Sequence, residues 1–189
     1  MATRIVHLAQ FGKRLGTRAE GKRARAFLEE ALAALPEGSV LTADLSGIEV
    51  LSGSFADEAI GRFVARLVAD DLPYRHFLVR TPTADLVEDL DVKLAQRKLA
   101  VLAVVGAGTE WLVLGRVPPY LAEVLAWVIA HGETTSQDLV RGLGISLQNA
   151  TTRLAKLVRL RLVRVVQGSR PMGGIQRQFY PLTSFNERS

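Results

Sequence analysis

Residues 139–166 read LVRGLGISLQNATTRLAKLVRLRLVRVV, and their changing period decides how the C-terminal part of the chain folds. Leu139 and Val140 belong to a short helix that Gly142-Leu143-Gly144 ends. Ser146 stands where an N-cap accepts a backbone N–H, and Ala150, Leu154 and Leu157 follow at helical spacing. Residues 162–166 then read as a strand and 176–182 as its return partner. Gly168-Ser169-Arg170-Pro171-Met172-Gly173-Gly174 makes the loop between them. Upstream, Leu121, Val124, Leu125 and Val128 line one face of a helix over 120–131, which Gly132 stops, and Thr134-Thr135-Ser136 caps the next. Helix, helix, glycine turn, helix, strand, loop, strand is the order of a winged helix-turn-helix.

Charge follows the same division. The 189 residues carry 24 basic and 19 acidic side chains, a formal net charge of +5. Residues 1–116 hold 15 of each sign, whereas 117–189 hold 9 basic and 4 acidic residues. From Leu139 to Asn186 there are eight Arg or Lys and no acid. A basic stretch can be no more than a solvated face, but on this scaffold it has a reason: a polyanion, double-stranded DNA, as partner. The outward positions of the third helix are Leu147, Gln148, Asn149, Thr152, Arg153 and Lys156. Gln and Asn can pair bidentately with adenine, and Arg with guanine. Arg141, Arg159, Arg161 and Arg164 suit phosphates or solvent, and Arg170 at the wing tip suits a minor groove or the backbone. Residues 139–166 resemble the helix-turn-helix of winged-helix transcriptional regulators of the MarR and ArsR kinds, with Arg161 where those place a glycine. The resemblance implies DNA binding. Paired recognition helices on two half-sites would make the protein a homodimer.

The N-terminal part alternates strand-like and helix-like stretches. Strands are expected near 5–8, 40–45 and 74–79, and helices over 18–35, 55–70 and from 83 to 98. A hairpin of 99–105 with 111–114 follows, its Leu99, Val101, Trp111 and Val113 either extending the sheet or covering a dimer interface. Gly115 to Pro119 then breaks the pattern, which suggests domains over 1–115 and 116–189. The most distinctive segment is LSGIEVLSGSFADEAIG, residues 45–61. It delivers a Ser52-Gly53-Ser54 turn onto a helix N-terminus, where backbone N–H groups can hold an anion or a serine can cap. Asp57 and Glu58 are expected in the first turn, favoured by the helix dipole, with Glu58 on a face that a partner reads.

This segment resembles STAS-like proteins of unknown function marked by Ser-Phe-Ala-Asp-Glu after a strand and, more distantly, the anti-sigma-factor antagonists. In the antagonists a partner kinase phosphorylates the second serine of an Asp-Ser-Ser-Gly turn, which aligns with Ser54 here. Ser52 replaces the Asp and Phe55 the Gly. The fold class expected is therefore α/β with two domains, a STAS-like sheet with helices followed by a winged helix. Ser52, Ser54, Asp57 and Glu58 form its switch or partner-binding group, read by a regulatory protein or kinase. Partner switching through phosphorylated Ser54 is one alternative function, and sequence-independent DNA binding in an architectural or defence role is another.

Other classes have little support. There is no Cys for a disulfide framework, a thiol nucleophile or a Cys-ligated metal. His7, His76 and His131 lie far apart, without metal-ligand spacing. Neither a dinucleotide-binding glycine fingerprint nor a phosphate-binding loop occurs, and Gly106-Ala107-Gly108 sits between strands as a turn. No enzyme activity, cofactor or metal is expected. The longest apolar run, 99–105, is far shorter than the ~20 residues a membrane helix requires. MATRIVHLAQFGKR lacks a signal-peptide core, so a cytoplasmic protein is expected.

Overall fold

In the computed structural model, which describes residues 2–106, 108, 110–169 and 175–182, the chain divides into two units, Met1–Val117 and Pro118–Ser189. The first is built on strands β1 (Thr3–His7), β3 (Val40–Asp44), β5 (His76–Thr81), β6 (Ala100–Val105) and β7 (Glu110–Gly115), side by side in that order. The first four are parallel, with Ile5 beside Thr42, Thr42 beside Leu78, and Leu78 beside Leu102. β7 returns antiparallel to β6 in the expected hairpin, which extends the sheet. Because each parallel strand is added beside the last by a right-handed crossover, the connecting helices all fall on one face.

Those helices are α1 (Arg18–Ala33), a broken helix of α2 (Gly53–Ala56), a π turn (Asp57–Gly61) and α3 (Arg62–Val68), and α4 (Glu88–Gln96). Their apolar sides meet Leu41, Ala43, Phe77, Val79, Val101, Ala103 and Leu114 in one core. Phe55, Phe63, Leu28, Leu32, Leu90 and Leu94 are fully buried. Phe63 and Phe77 meet edge to face, their ring centroids 4.8 Å apart. A second parallel pair, β2 (Arg14–Leu15) with β4 (Val50–Leu51), sets the starts of α1 and α2 side by side. Thr17 caps α1 in a reciprocal box with Glu20, and Ser52 caps α2.

The second unit contains α5 (Pro119–His131), α6 (Ser136–Leu143), α7 (Leu147–Arg159) and an antiparallel hairpin of β8 (Val163–Ser169) and β9 (Ile175–Pro181). Leu121, Val124, Leu125, Val128, Leu139, Ala150, Leu154 and Leu157 are buried in it. This is the expected winged helix, and the fold class is mixed α/β.

Gly115 ends β7 at φ +91°, and a Cβ there would lie 2.1 Å from the Leu99 carbonyl oxygen and 2.8 Å from Leu94 Cβ. Gly115→Ala is therefore expected to cost about 3 kcal/mol or more, read from urea unfolding followed by circular dichroism. At Gly106, with φ +57° but open space around a Cβ, alanine should cost only about 1 kcal/mol.

Candidate functional site

The winged helix positions its reading surface through three local devices. Thr135 and Asp138 form a capping box at the start of α6: the Thr135 N–H donates to the Asp138 carboxylate at 2.8 Å, and Asp138 N–H to Thr135 Oγ1 at 3.3 Å. Gly142 in α6 leaves room for the Trp127 ring of α5, whose edge atom would lie 1.9 Å from a Cβ. Ser146 caps α7, accepting the Asn149 N–H at 3.2 Å. With Ala150, Leu154 and Leu157 turned inward, helical geometry turns Gln148, Thr152, Lys156 and Arg159 outward, and all four are exposed. Asn149 is exposed on the flank of this ridge.

Arg153 is placed differently. Its guanidinium lies 3.1 Å from Glu123 Oε2, reaches the Tyr120 carbonyl at 3.4 Å and lies over the Tyr120 ring, leaving the side chain 18% exposed. It ties α7 to α5 and stands apart from the outward ridge. Lys156 leans on the same tyrosine, its ammonium donating to the phenol oxygen at 3.2 Å, but stays exposed. Tyr120 thus supports two cations of α7, a role that nothing in its own stretch of sequence signals.

Arg161 has φ +62° and is 8% exposed, so it is not the phosphate-facing residue expected. The Arg161 N–H donates to Val158 O and the Leu162 N–H to Leu157 O, the double bond of a helix end that usually takes glycine. The departure noted in the sequence is therefore a left-handed arginine that turns the chain into the wing. Arg164 is half-buried, donating to the Pro181 carbonyl with its guanidinium 5.5 Å from the Tyr180 ring, and burial lowers its pKa. It braces the hairpin. Glu133 accepts from Gln178 and from the Tyr180 hydroxyl, and Thr134 bridges Phe179, so the α5–α6 connection also holds the wing. Arg141 and Arg177 are exposed, whereas Arg170 lies outside the described residues.

In the other unit, Ser52 is occupied structurally. Its hydroxyl donates to Gly16 O at 2.8 Å and accepts the Phe55 N–H at 3.2 Å. Ser54 is exposed. Asp57 and Glu58 fall in the π turn that follows α2, beyond the first turn expected for them. Arg97 grips Asp57 through Nε at 2.6 Å and Nη2 at 3.0 Å, and this holds the carboxyl below its ordinary pKa. Glu58 is 3% exposed, between Arg25 at 2.9 Å and Arg62 at 3.1 Å, so no partner can read it from the surface. The four residues do not form one open site. A neighbouring cavity of about 460 Å³ is edged by Glu49, Asp85, Glu88 and Asp89, while the Lys93 side chain packs against Gly53 in the turn itself. Among the described residues no cluster of side chains could hold a metal ion, and no helix is long and apolar enough to cross a membrane.

Residues 122–170 match the family model described as MarR family. The match covers a minority of the chain and spans α5 from its fourth residue, α6, α7 and the first wing strand. It supports what the geometry indicates, a winged helix of the kind found in DNA-binding transcriptional regulators. No curated protein matches the chain.

The lowered Asp57 pKa gives stability a defined pH dependence. The folded state takes up that proton less readily than the unfolded chain. The pair therefore contributes fully above about pH 4, the ordinary carboxylate value, and its contribution is lost as pH falls through the lowered folded value. Asp57→Asn should lower the urea midpoint at neutral pH and flatten its fall between about pH 5 and pH 2. Parallel profiles for the two proteins would show that the pair adds nothing.

Proposed function

We propose that this protein is a non-catalytic, dimeric DNA-binding transcriptional regulator that lays α7 in the major groove. Gln148, Thr152 and, from the flank, Asn149 contact base edges, while Lys156 and Arg159 contact phosphates. The observation that carries this reading is the exposed row Gln148, Thr152, Lys156 and Arg159, opposite a fully buried stripe, on the helix inside the matched segment. Arg153 and Arg164 act indirectly, holding α7 to α5 and β8 to β9. The N-terminal unit is a STAS-like control module. Its exposed Ser54, rather than the capping Ser52, offers a kinase or regulatory partner a hydroxyl.

Titration against genomic fragments at several salt concentrations tests this. Binding should weaken with salt, with a log–log slope of about −0.9 per phosphate neutralised. Arg159→Ala should reduce that slope by about one and weaken all sequences alike. Gln148→Ala should instead cost about 1–3 kcal/mol on the preferred sequence and little elsewhere. Equal loss on every sequence from both variants would point to sequence-independent binding. The absence of salt-sensitive binding would overturn the proposal.

A further inference from the structure

We infer that β7 is the docking edge for a second copy of this chain, the two β7 strands pairing antiparallel about a twofold axis through Val113. This names the surface for the self-association proposed above, and rests on that reading only for the presence of two copies.

Among the described residues β7 has a strand neighbour, β6, on one side only. The ladder shows which backbone groups remain on the other side. Arg116 N–H donates to Leu99 O, and the register sets Ala100 beside Gly115. Bonded and non-bonded pairs alternate in an antiparallel ladder, so Glu110, Leu112 and Leu114 turn their N–H and C=O toward β6. Trp111, Val113 and Gly115 turn theirs outward. Gly115 fits this, since its N–H is taken by the Asp91 carboxylate at 2.6 Å instead of by β6.

Exposed edges are usually blunted by charge or proline. The opposite edge strand, β1, carries Arg4 and His7. β7 reads EWLVLG, with its only charge at one end, and Val113 is 40% exposed. An edge strand with no charge between Trp111 and Leu114 needs a partner or a cover.

Self-pairing about Val113 is the register in which this edge complements itself. Val113 meets Val113 in a bonded pair, and Trp111 lies opposite Gly115, where the absent side chain leaves room for the indole. There the Trp111 N–H can donate to the Gly115 carbonyl, while the Gly115 N–H stays with Asp91. Leu112 lies opposite Leu114 on the helix-covered face. There a groove of about 250 Å³ runs between α4 and β7, lined by Val87, Leu112 and Leu114 and also by Glu88 and Asp91. Exposed Glu110 comes opposite exposed Arg116, twice by symmetry. Charge complementarity at both ends and apolar matching between them thus point to a second copy of this chain.

Sedimentation of the full chain reads the dimer directly, and circular dichroism checks that each variant folds. Glu110→Arg places like charges opposite each other at two symmetric positions and should raise the dimer Kd about tenfold or more. Adding Arg116→Glu reverses both partners and should restore it. Val113→Cys introduces a single thiol into a chain without cysteine. Across the axis its Cα atoms would lie about 5.5 Å apart, within disulfide range. Mild oxidation should then link the dimer quantitatively, whereas a cysteine at exposed Val50 should not link. A wild-type chain that sediments as a monomer at micromolar concentration would overturn the inference. So would a folded Glu110→Arg variant with unchanged Kd, or equal cross-linking at positions 50 and 113. The two proposals remain distinguishable: a β7-linked dimer that ignores DNA overturns the function and leaves the interface, whereas DNA binding by a wild-type monomer overturns the interface and the dimeric state but leaves DNA binding by α7.

Discussion

A parallel sheet whose strands are laid down in sequence order can receive its crossover helices on one face only. In the N-terminal unit almost everything follows from that constraint. The broken helix α2–α3 has α1 on one side and α4 on the other, so the polar residues of its π turn must find partners on both. Asp57 turns to Arg97 and Glu58 to Arg25 and Arg62. A buried carboxylate between two guanidinium groups adds little net stability over an apolar replacement, but losing one partner is costly. These contacts therefore hold the three helices in register more than they stabilise the fold. The segment that looks most like a functional motif is, for Ser52, Asp57 and Glu58, a piece of structural joinery.

In the winged helix the corresponding constraint is the apolar stripe of α7. Once Ala150, Leu154 and Leu157 are buried, the outward residues are determined by the helical repeat. The flanks are then shared between neighbours: Arg153 is drawn to Glu123 and Tyr120 of α5, and Thr151 meets Ser136 of α6 at 3.2 Å. Positive charge in this unit thus serves two purposes. Arg153, Arg161 and Arg164 stay close to the protein, while Lys156, Arg159, Arg141 and Arg177 face solvent.

Local signals account for what could be read from the chain. The caps at Ser146 and Ser52, the helix ends at Gly132 and Gly144, the 99–114 hairpin and the buried stripe of α7 each depend on residues within a turn or two of one another. Contacts between distant segments were not legible. Arg97 lies forty positions from Asp57, and Tyr120 more than thirty from Arg153, with no period or spacing linking them. The two-residue pair of β2 and β4 is too short to leave a pattern, although it sets where two helices begin. Acidic residues soon after a helix start suggested dipole complementarity for Asp57 and Glu58. The π turn and three arginines displaced that reading.

The strand order also bears on how the chain folds. Each parallel neighbour must wait for an intervening crossover, so Ile5 cannot meet Thr42, nor Thr42 meet Leu78, until some 36 further residues have been arranged. The hairpin of β6 and β7 and the helix-turn-helix pair contacts much closer along the chain and can form sooner. On a ribosome the sheet would grow from β1 outward, its growing edge passing from strand to strand until β7 was complete. Of the two borders of the finished sheet, the one uncharged from Trp111 to Leu114, β7, is thus its last strand to be synthesised, which shortens the time it can spend against the wrong strand.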